Sequence, residues 1–431
     1  NFLAYSNNLK VVRAANTSST LNATANGSGV LIKNADDYVA NRESATNTSY
    51  GPFGARYAGD LGNSLRISIC PSATAYSSNL TSGSSVTANA ASVGDTTINV
   101  TGSPVANLYV GDLVSVDGGT TYYRTTSVNA TAIVVATALS AAITVGAPIL
   151  RKWQYADNFG VAPGTSDYVS NKTGANDEIH VIVIDEDGKF TGVPGQVLET
   201  FGYLSKASDA VYNGATNYYK QVVFNSSRYI YAVDPADYSN TSTSWGKTAS
   251  NRSFDSISTG AIAYPLDEGV DAMPSNADLN NGWSIFANKE KYDISLLITG
   301  SANTAVQQHV IDNVAKQRKD CVAFISPPAT AVVNNSGMEY SAIDSWLTAL
   351  GRSSSYVVAD SGWKYQFDVY NNTYRWVPMN SDVAGLSVAT DTTQDPWYSP
   401  AGFNRGGIKN AIKLSWNPNQ TERDYIYSRG V

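Results

Sequence analysis

Two histidines are the only imidazole side chains in the chain, and this restricts the catalytic chemistry available to it. His180 lies inside the apolar run "EIHVIV", and His309 lies inside "AVQQHVIDN", where Val306 and Val310 mark an apolar helical side. A Ser-His-Asp system needs a histidine beside a serine on a strained turn, and the sequence has no G-x-S-x-G motif. We therefore predict that neither histidine is catalytic.

Carboxylates are the second source of possible chemistry. Asp382 and Asp391 could form the acid pair of a hydrolase that cleaves glycans. The same two residues also fit a simpler interpretation, as acids at a helix N-terminus and in a turn. The segment "DEDGK", from Asp185 to Lys189, resembles the start of a calcium loop, but it lacks the glutamate at position 12. The flanking apolar strands favour a hairpin turn there.

Other binding chemistry is poorly represented in the sequence. Two histidines and two cysteines without C-x-x-C or H-x-x-x-H spacing cannot build a closed zinc site. The phosphate-loop pattern G-x-x-x-x-G-K-[ST] is missing from the sequence. Cys70 and Cys321 stand far apart in apolar segments, which predicts two buried thiols. We predict no metal site and no cofactor.

Composition narrows the class of protein. The chain has 431 residues, 42% of them hydrophobic and 15% charged, which is enough for several packed domains. A net charge of -7 without a basic stripe argues against direct contact with nucleic acid. No run approaches the roughly 20 apolar residues of a membrane span. The pattern indicates a globular protein that is not inserted in a membrane.

The first half of the chain changes character near residue 80. Before that point we predict a strand over residues 7–15, a helical turn opened by Asp36 and Asp37, and a strand containing Leu65, Ile67 and Ile69. From about 80 to 152, five or six short β-branched runs alternate with glycine turns. Such spacing is typical of a small antiparallel β-barrel or sandwich, here inserted into a different domain.

The second half mixes hairpins with strand-helix alternation. A hairpin is predicted with one strand from Ile179 to Ile184 and a return strand through Val197, and "YKQVVFNSSRYIYAVD" suggests a further strand pair. From about residue 265, apolar runs alternate with helices, as a parallel βαβ unit requires. The predicted fold is α/β (α+β) and multidomain, divided at residues 1–79, 80–152, 153–264 and 265–431.

Aromatic residues lie on polar, glycine-rich segments. Of the 27 tyrosines, many fall in stretches such as "WKYQFDVYNNTYRW", and Trp397 lies in the loop "DPWYSPAGFNRGGIKN". Tyr and Trp are enriched at protein interfaces because they bury a large amphipathic surface at low entropic cost. This distribution favours a subunit of a larger assembly.

Several collinear stretches resemble the tail sheath proteins of contractile bacteriophages, and the T-even-like branch in particular. The longest is "KYQFDVYNNTYRWVPMNSDVAGLSVATDTTQDPWYSPAGFNRGGIKN". It resembles a signature block with a Tyr-rich strand, an R-W-V-P step, a D-x-A-G-L helix start and a W-x-S-P-A-G-[FY]-N-R-G loop. Shorter matches are "VQQHVIDNVAKQRKDCVAFISPP", "NFLAYSNNLKVVRAA" and "GPFGARYAGDLGNSLRISI". The signature residues are Trp376, Pro378, Gly385, Trp397, Pro400, Gly402, Asn404, Arg405 and Gly406.

The resemblance implies a structural subunit of the phage virion, assembled in the host cytoplasm and without enzymatic activity. It implies a subtilisin-like α/β core without the triad, formed by residues 1–79, 153–264 and 265–431, with 80–152 as an outward-facing insert. Such subunits form hexameric rings around a tail tube, contact baseplate and tail terminator proteins, and contract to eject DNA. Their arms add strands to neighbouring subunits. The family continues past residue 431 into a C-terminal polymerisation domain, which we expect to be missing here.

Two alternatives come from other functional classes. A receptor- or glycan-binding module would use the β-rich insert and its tyrosines, and a hydrolase would use Asp382 and Asp391. Under the sheath interpretation, the loop "PWYSPAGFNRGG" is a rigid joint. Arg405 would then lie beside a helix "GGIKNAIKL" and pair with a carboxylate or a carbonyl.

Overall fold

The computed structural model describes residues 1–43, 49–80, 87–102, 108–234, 244–395 and 397–431. Pro396, in the predicted rigid joint, lies outside the described residues. The chain divides into two compact units, with residues 1–17 and 273–431 in unit 1 and residues 18–272 in unit 2. Both units mix helices and sheets, so the predicted α/β character is confirmed at this level. None of the described helices is long and apolar enough to cross a membrane.

Unit 2 is rich in short strands. Its helices are α1 (Ala35–Asn41), α2 (Ala73–Tyr76), α3 (Asp167–Ser170) and α4 (Tyr219–Ser226). Its strands are β1 (Phe53–Ala55), β2 (Leu65–Cys70), β3 (Ser77–Asn79), β4 (Thr87–Ala88), β5 (Thr97–Thr101), β6 (Leu113–Ser115), β7 (Tyr123–Val128), β8 (Ala132–Val135), β9 (Leu150–Lys152), β10 (Glu178–Asp185), β11 (Gln196–Ser205), β12 (Val211–Tyr212), β13 (Ala215–Thr216), β14 (Ile230–Ala232) and β15 (Ile262–Pro265).

The central sheet of unit 2 has the antiparallel order β11-β10-β2-β15. Its β10 strand is apolar and buried along nearly its whole length, as expected for a strand covered on both faces. Ile184 pairs with Val197, so the predicted hairpin is confirmed. Asp185 organises the turn, because its carboxylate accepts hydrogen bonds from Ser64 and from the backbone N–H of Thr191. This is a turn role and not a calcium-loop role.

Strands β3 to β9 of unit 2 form a seven-stranded antiparallel sheet. Its strand order is β3-β9-β6-β7-β8-β5-β4, and its buried core includes Ile98, Val114 and Ile133. In the described part of the chain β3 and β4 lie at opposite ends of this order, so the sheet stays open. The closed barrel, one of the two predicted architectures, is therefore wrong, since a barrel requires the two end strands to pair. That residues 80–152 form a sandwich and a separate inserted domain stays a prediction.

One predicted strand pair in unit 2 is wrong. The segment "YKQVVFNSSRYIYAVD" begins with helix α4, and its second half alone is a strand, β14. Tyr219 and Val223 are four residues apart and both are buried, which is the spacing of a helix face. The β-branched and aromatic composition of this segment favoured strands, but packing against the core stabilises its first half as helix α4.

Unit 1 contains the parallel sheet and the signature block. Its helices are α5 (Asn276–Ser284), α6 (Thr304–His309), α7 (Lys316–Arg318), α8 (Ala329–Val332), α9 (Glu339–Leu350), α10 (Asn380–Thr393) and α11 (Gln420–Ser428), with a π-helical turn at Val310–Ala315 and 3-10 turns at Phe2–Ala4 and Ile285–Ala287. Its strands are β16 (Leu296–Ile298), β17 (Val322–Ile325), β18 (Val357–Ala359), β19 (Trp363–Asp368), β20 (Thr373–Pro378) and β21 (Lys413–Leu414).

Strands β16, β17 and β18 pair in parallel in that order, with α6 and the π-helical turn between the first two. The predicted βαβ unit is confirmed. Buried Cys321 precedes β17, and both cysteines of the chain are free and buried, as predicted. The predicted strand over residues 7–15 is wrong, since this segment is irregular and only the 3-10 turn precedes it. Its alternating pattern suits a strand, but it has no strand partner in the described chain.

A second sheet of unit 1 has the antiparallel order β20-β19-β21. The predicted Tyr-rich strand is a hairpin, in which Asn372 has a φ of 47° at the turn. Helix α10 begins directly after β20, as the D-x-A-G-L pattern predicts. Residues 406–412 form no helix, so the predicted helix "GGIKNAIKL" is wrong. Two glycines open this segment, and Lys413 pairs with Tyr365 of β19 instead.

Candidate assembly surface

The signature block first builds a buried polar contact between β19 and α10. Lys364 Nζ lies 2.9 Å from Asp382 Oδ1, and the side chains are 1% and 0% exposed. The same ammonium group donates to the carbonyl of Lys409 at 2.6 Å. A buried ion pair of this kind resists the loss of either partner, because the remaining charge would be left in an apolar medium. The pair fixes the start of α10 against the hairpin.

Tyr5 connects the beginning of the chain to this ion pair. Its hydroxyl donates to Asp382 Oδ1 at 3.1 Å and accepts from the backbone N–H of Lys409 at 2.8 Å. Burial is the main cause that raises the pKa of Tyr5 to about 12, so the phenol stays protonated and remains a donor. The ring lies against Gly385, where an added Cβ would meet the Tyr5 Cδ2 atom at 2.4 Å. Gly385 therefore provides the space for this ring.

A buried polar cluster lies where the parallel strands β17 and β18 end. Ser326 Oγ donates to Asp360 Oδ2 at 2.6 Å, and the Gly362 N–H donates to Asp360 Oδ1 at 3.0 Å. The backbone N–H of Asn380 donates to Ser326 Oγ at 3.1 Å. Burial, with a further contribution from Asp382, raises the pKa of Asp360 to about 7. Sequence reasoning missed this cluster, although Ser and Asp each follow an apolar run directly.

The remaining signature residues lie in an outer loop. Trp397 and Asn404 are exposed, while Pro400 and Gly406 are half-buried. Arg405 Nε donates to the carbonyl of Ser399 at 3.0 Å, and Arg405 Nη2 donates to that of Ala401 at 3.4 Å. The guanidinium group thus braces its own loop through carbonyl groups, one of the two partner types expected for it.

Two glycines hold this loop closed. Gly402 has a φ of 122°, a conformation that residues with a Cβ rarely adopt. The Gly406 N–H donates to the Gly402 carbonyl at 2.7 Å, and an added Cβ on Gly406 would meet Gly402 backbone atoms at 3.0 Å. The loop is therefore a compact turn that stabilises itself while its large side chains point outward.

Trp376 and Pro378 are half-buried and lie between the buried Lys364–Asp382 contact and the outer loop. The Trp376 ring is 5.0 Å from that of Tyr365, and the Lys413 Nζ lies 5.5 Å above it. Pro378 pairs with Trp363 at the end of the hairpin. These residues join the apolar cluster of unit 1 to the exposed side of the hairpin.

Large apolar side chains are exposed along the hairpin and the loop. Tyr370 and Phe403 are fully exposed, and the other members of the group are Phe367, Val369, Tyr374, Trp397, Tyr398 and Ile412. We call this group the aromatic face. Strands β20 and β21 border the same sheet and have free edges in the described chain. Exposed aromatic groups next to open strand edges are features of a protein-binding surface.

The structure gives both histidines hydrogen-bonding roles. His180 is buried, accepts from the Tyr203 N–H at Nδ1 (3.1 Å) and has Nε2 3.0 Å from the Val161 carbonyl. Its ring stacks on Phe159, and burial lowers its pKa. It is held as a neutral imidazole, because protonation at Nδ1 would remove the acceptor that the Tyr203 N–H uses.

His309 lies beside a serine, but the protons are arranged in the wrong order for nucleophilic catalysis. Its Nε2 is 2.9 Å from Ser284 Oγ, and its Nδ1 is 2.9 Å from Asn313 Nδ2. Ser284 donates its single hydroxyl proton to the Asn280 carbonyl at 2.8 Å. His309 therefore donates to the serine, whereas a general base would accept from it.

The carboxylate pair of the hydrolase alternative does not form. Asp382 is buried in the ion pair, and Asp391 is exposed near the other end of α10. Nine helical residues separate them by about 13 Å along the axis and by roughly half a turn around it. Glycan hydrolysis needs two carboxyl groups facing one substrate, at most about 9.5 Å apart. The hypothesis that Asp382 and Asp391 act as the acid pair of a hydrolase is therefore wrong.

Residues 272–431, which include the aromatic face, match the family "Phage tail sheath protein central domain". The tail sheath protein of Vibrio phage KVP40 is 34% identical over 260 residues, or 56% of this chain and 36% of the relative. That of Enterobacteria phage T4 is 39% identical over 173 residues, or 36% of this chain and 26% of the relative. That of Salmonella phage ViI is 27% identical over 461 residues, covering 100% of this chain and 66% of the relative.

The matched part of the chain thus covers less than two thirds of the length of the tail sheath proteins of KVP40 and T4. The resemblance carried by the signature block is confirmed, since the matched family covers all of that block. The chain is similar over its whole length to the tail sheath protein of Salmonella phage ViI, and its residues 272–431 match the model of the phage tail sheath central domain.

Proposed function

We propose that this protein is a structural subunit of a contractile phage tail sheath and a component of the virion. Subunits would assemble as stacked hexameric rings around a tail tube and rearrange to drive that tube through the host envelope. The aromatic face, lying within the matched family region, is the observation that carries the proposal. No catalytic role is proposed, and contraction would be a rigid-body rearrangement between two packings of the subunits.

The edges of the β20-β19-β21 sheet suggest how the subunits bind each other. A strand from a neighbouring copy could pair with the outer edge of β20, while its side chains cover Phe367 and Tyr374. Strand addition supplies backbone hydrogen bonds, and the exposed aromatic groups supply the buried apolar area that stable contacts need. The tail tube, baseplate and tail terminator proteins are proposed as further partners.

The proposal includes a subtilisin-like topology of the core and a separate, outward-facing domain at residues 80–152. The insert is less suited to carry the main contacts than the aromatic face. Among its described residues, the exposed large apolar side chains are Val93, Tyr109, Val110, Tyr122 and Val145, fewer than those of the aromatic face.

Electron microscopy of the full-length protein expressed alone tests the proposal directly. Tubes of stacked six-fold rings are the expected result. Phe403→Ser combined with Trp397→Ser should prevent or shorten these tubes, whereas Val145→Ser, an exposed apolar residue of the seven-stranded sheet, should leave them intact. Monomers under all assembly conditions, or tubes equally sensitive to both changes, would contradict the proposal.

A further inference from the structure

The parallel sheet of unit 1 has an open edge at β16. The ladder with β17 uses the Ser295 carbonyl and the Thr299 N–H, which bond to Val322 and Phe324 at 2.9 and 3.2 Å. Backbone groups alternate in direction along a parallel strand, so those of Leu296 and Ile298 point away from β17. An outward row of N–H and C=O groups is a template for a further strand.

Residues 9–13, which we call the N-terminal strap, lie beside this edge and belong to no described strand. Residues 9–12 of the strap and residues 293–299 together line a cavity of about 700 Å³. Lys10 Nζ reaches across to the carbonyl of Asp293 at 3.1 Å. Val12 packs with the apolar cluster that contains Trp283 and Leu279. The strap is therefore already held next to β16.

The strap is anchored on both sides of the cavity. On one side Phe2 is buried against Phe324 and Ala384, and Tyr5 is bound through Asp382. On the other side Asn16 Nδ2 donates to the carbonyl of Met273 at 3.4 Å. Because both ends are fixed, the residues between them stay next to the edge.

The sequence of the strap suits an edge strand of such a sheet. Strands of a parallel sheet are covered on both faces and carry apolar residues on both. Leu9 and Val11 would occupy one face, and Val12 the other. In the unpaired position Leu9 and Val11 are exposed, and Val11 is 78% exposed. Pairing would bury β-branched residues that are favourable in strands.

We propose that residues 9–13 pair with the outward edge of Leu296–Ile298 as a fourth strand, so that the strap closes over the cavity. The strap then has an open and a paired position. In the paired position it blocks the β16 edge against strands from other chains, and in the open position the edge can accept one. The inference does not depend on the sheath function proposed above.

Hydrogen exchange of the unmodified chain, followed by mass spectrometry, is the first test. We expect amides in residues 9–13 and in 296–298 to exchange at least about tenfold more slowly than unpaired exposed chain. The measurement is made at two protein concentrations. Fast exchange of residues 9–13 overturns the proposal. It is also overturned if protection of 296–298 rises with concentration while residues 9–13 stay fast, because a second copy would then occupy the edge.

Proline substitutions provide a second, independent readout. One of two adjacent strand amides must point toward β16, so Lys10→Pro and Val11→Pro are made separately. At least one of them should accelerate exchange at 296–298 by about tenfold, since proline removes the donor and disfavours pairing. Val11→Thr keeps both the N–H and the β-branch, and it should leave exchange unchanged. Equal exchange at residues 296–298 in all three variants would refute the pairing of the strap with β16.

Discussion

The buried contact of Lys364, Asp382 and Gly385 and the loop at residues 397–406 belong to one continuous signature block, yet their side chains meet very different surroundings. In the first region Lys364, Asp382 and Gly385 are buried and contact other parts of unit 1. In the second region Trp397 and Phe403 point outward, and the loop is braced by its own backbone. The first pattern is explained by folding of the subunit. The exposure of the loop aromatics has no explanation within the described chain, and contacts with another chain would explain it.

The comparison predicts that changes in the buried region reduce stability, whereas changes in the loop affect assembly alone. The largest effect is expected for Lys364→Met, which leaves the Asp382 carboxylate buried without its cation. The free energy of unfolding should fall by about 3–5 kcal/mol in urea titrations. Lys364→Met combined with Asp382→Leu should recover much of the loss, because no buried charge is then left unpaired. A double variant as unstable as the single one would show that the pair is not the cause.

The second expected effect is a pH dependence that comes from Asp360. Its pKa is raised to about 7 in the folded protein, above the value of about 3.9 in an unfolded chain. The folded state therefore holds a proton that the unfolded state has lost between these two values. The stabilising contribution is complete below pH 4 and is lost as the pH rises through 7.

Relative to Asp360→Asn, the unmodified chain should lose up to about 1.4 kcal/mol of unfolding free energy per pH unit between pH 5 and 7. Thermal or urea unfolding at several pH values measures this difference. Asp391→Asn removes an exposed carboxylate of α10 and is the control, which should keep the slope of the unmodified chain. Parallel curves for Asp360→Asn and the unmodified chain would contradict the assignment.

The third expected effect is smaller and is a difference in stability between alanine substitutions at two glycines of the block. Gly385→Ala places a Cβ against the Tyr5 ring and should cost about 1–3 kcal/mol, with the loss concentrated in contacts of residues 1–5. Gly407→Ala meets no atom within 4 Å and should change stability very little. Tyr5→Ala should remove the difference between the two alanine variants. If Gly385→Ala is tolerated as well as Gly407→Ala, the ring does not occupy this space in solution.

The sequence predicted those elements whose local pattern and surroundings agree. The hairpin from Ile179 to Val197 and the parallel βαβ unit follow from short continuous apolar runs bounded by turn residues, which favour buried strands. The segment after Gly406 shows why other predictions were wrong. Ile408 and Ile412 have helical spacing, but the pairing of Lys413 with Tyr365 takes the chain into a strand. Local spacing could not reveal that partner.

Much of the candidate site depends on partners far apart in the sequence. Tyr5 meets Asp382 and Lys409 across 377 and 404 residues, and no spacing rule connects these positions. The sequence did indicate Gly385 through the D-x-A-G-L pattern, but not the ring that it accommodates. For the loop, the sequence predicted a rigid joint and either a carboxylate or a carbonyl as the partner of Arg405, and a carbonyl is the partner found, because the guanidinium group acts locally.

The smallest effect on stability is expected where the effect on assembly is largest. Trp397→Ser and Phe403→Ser remove side chains that are largely or fully exposed in the described chain, so each should change the free energy of unfolding by less than about 0.5 kcal/mol. The same changes should abolish or shorten sheath tubes, because apolar groups that gain no stability from folding can gain it only by burial against another chain. Unfolding and electron microscopy on the same samples therefore separate the two roles of the block. A loss of stability that accompanies the loss of tubes would show that the loop serves the fold and would remove the distinction between the two regions.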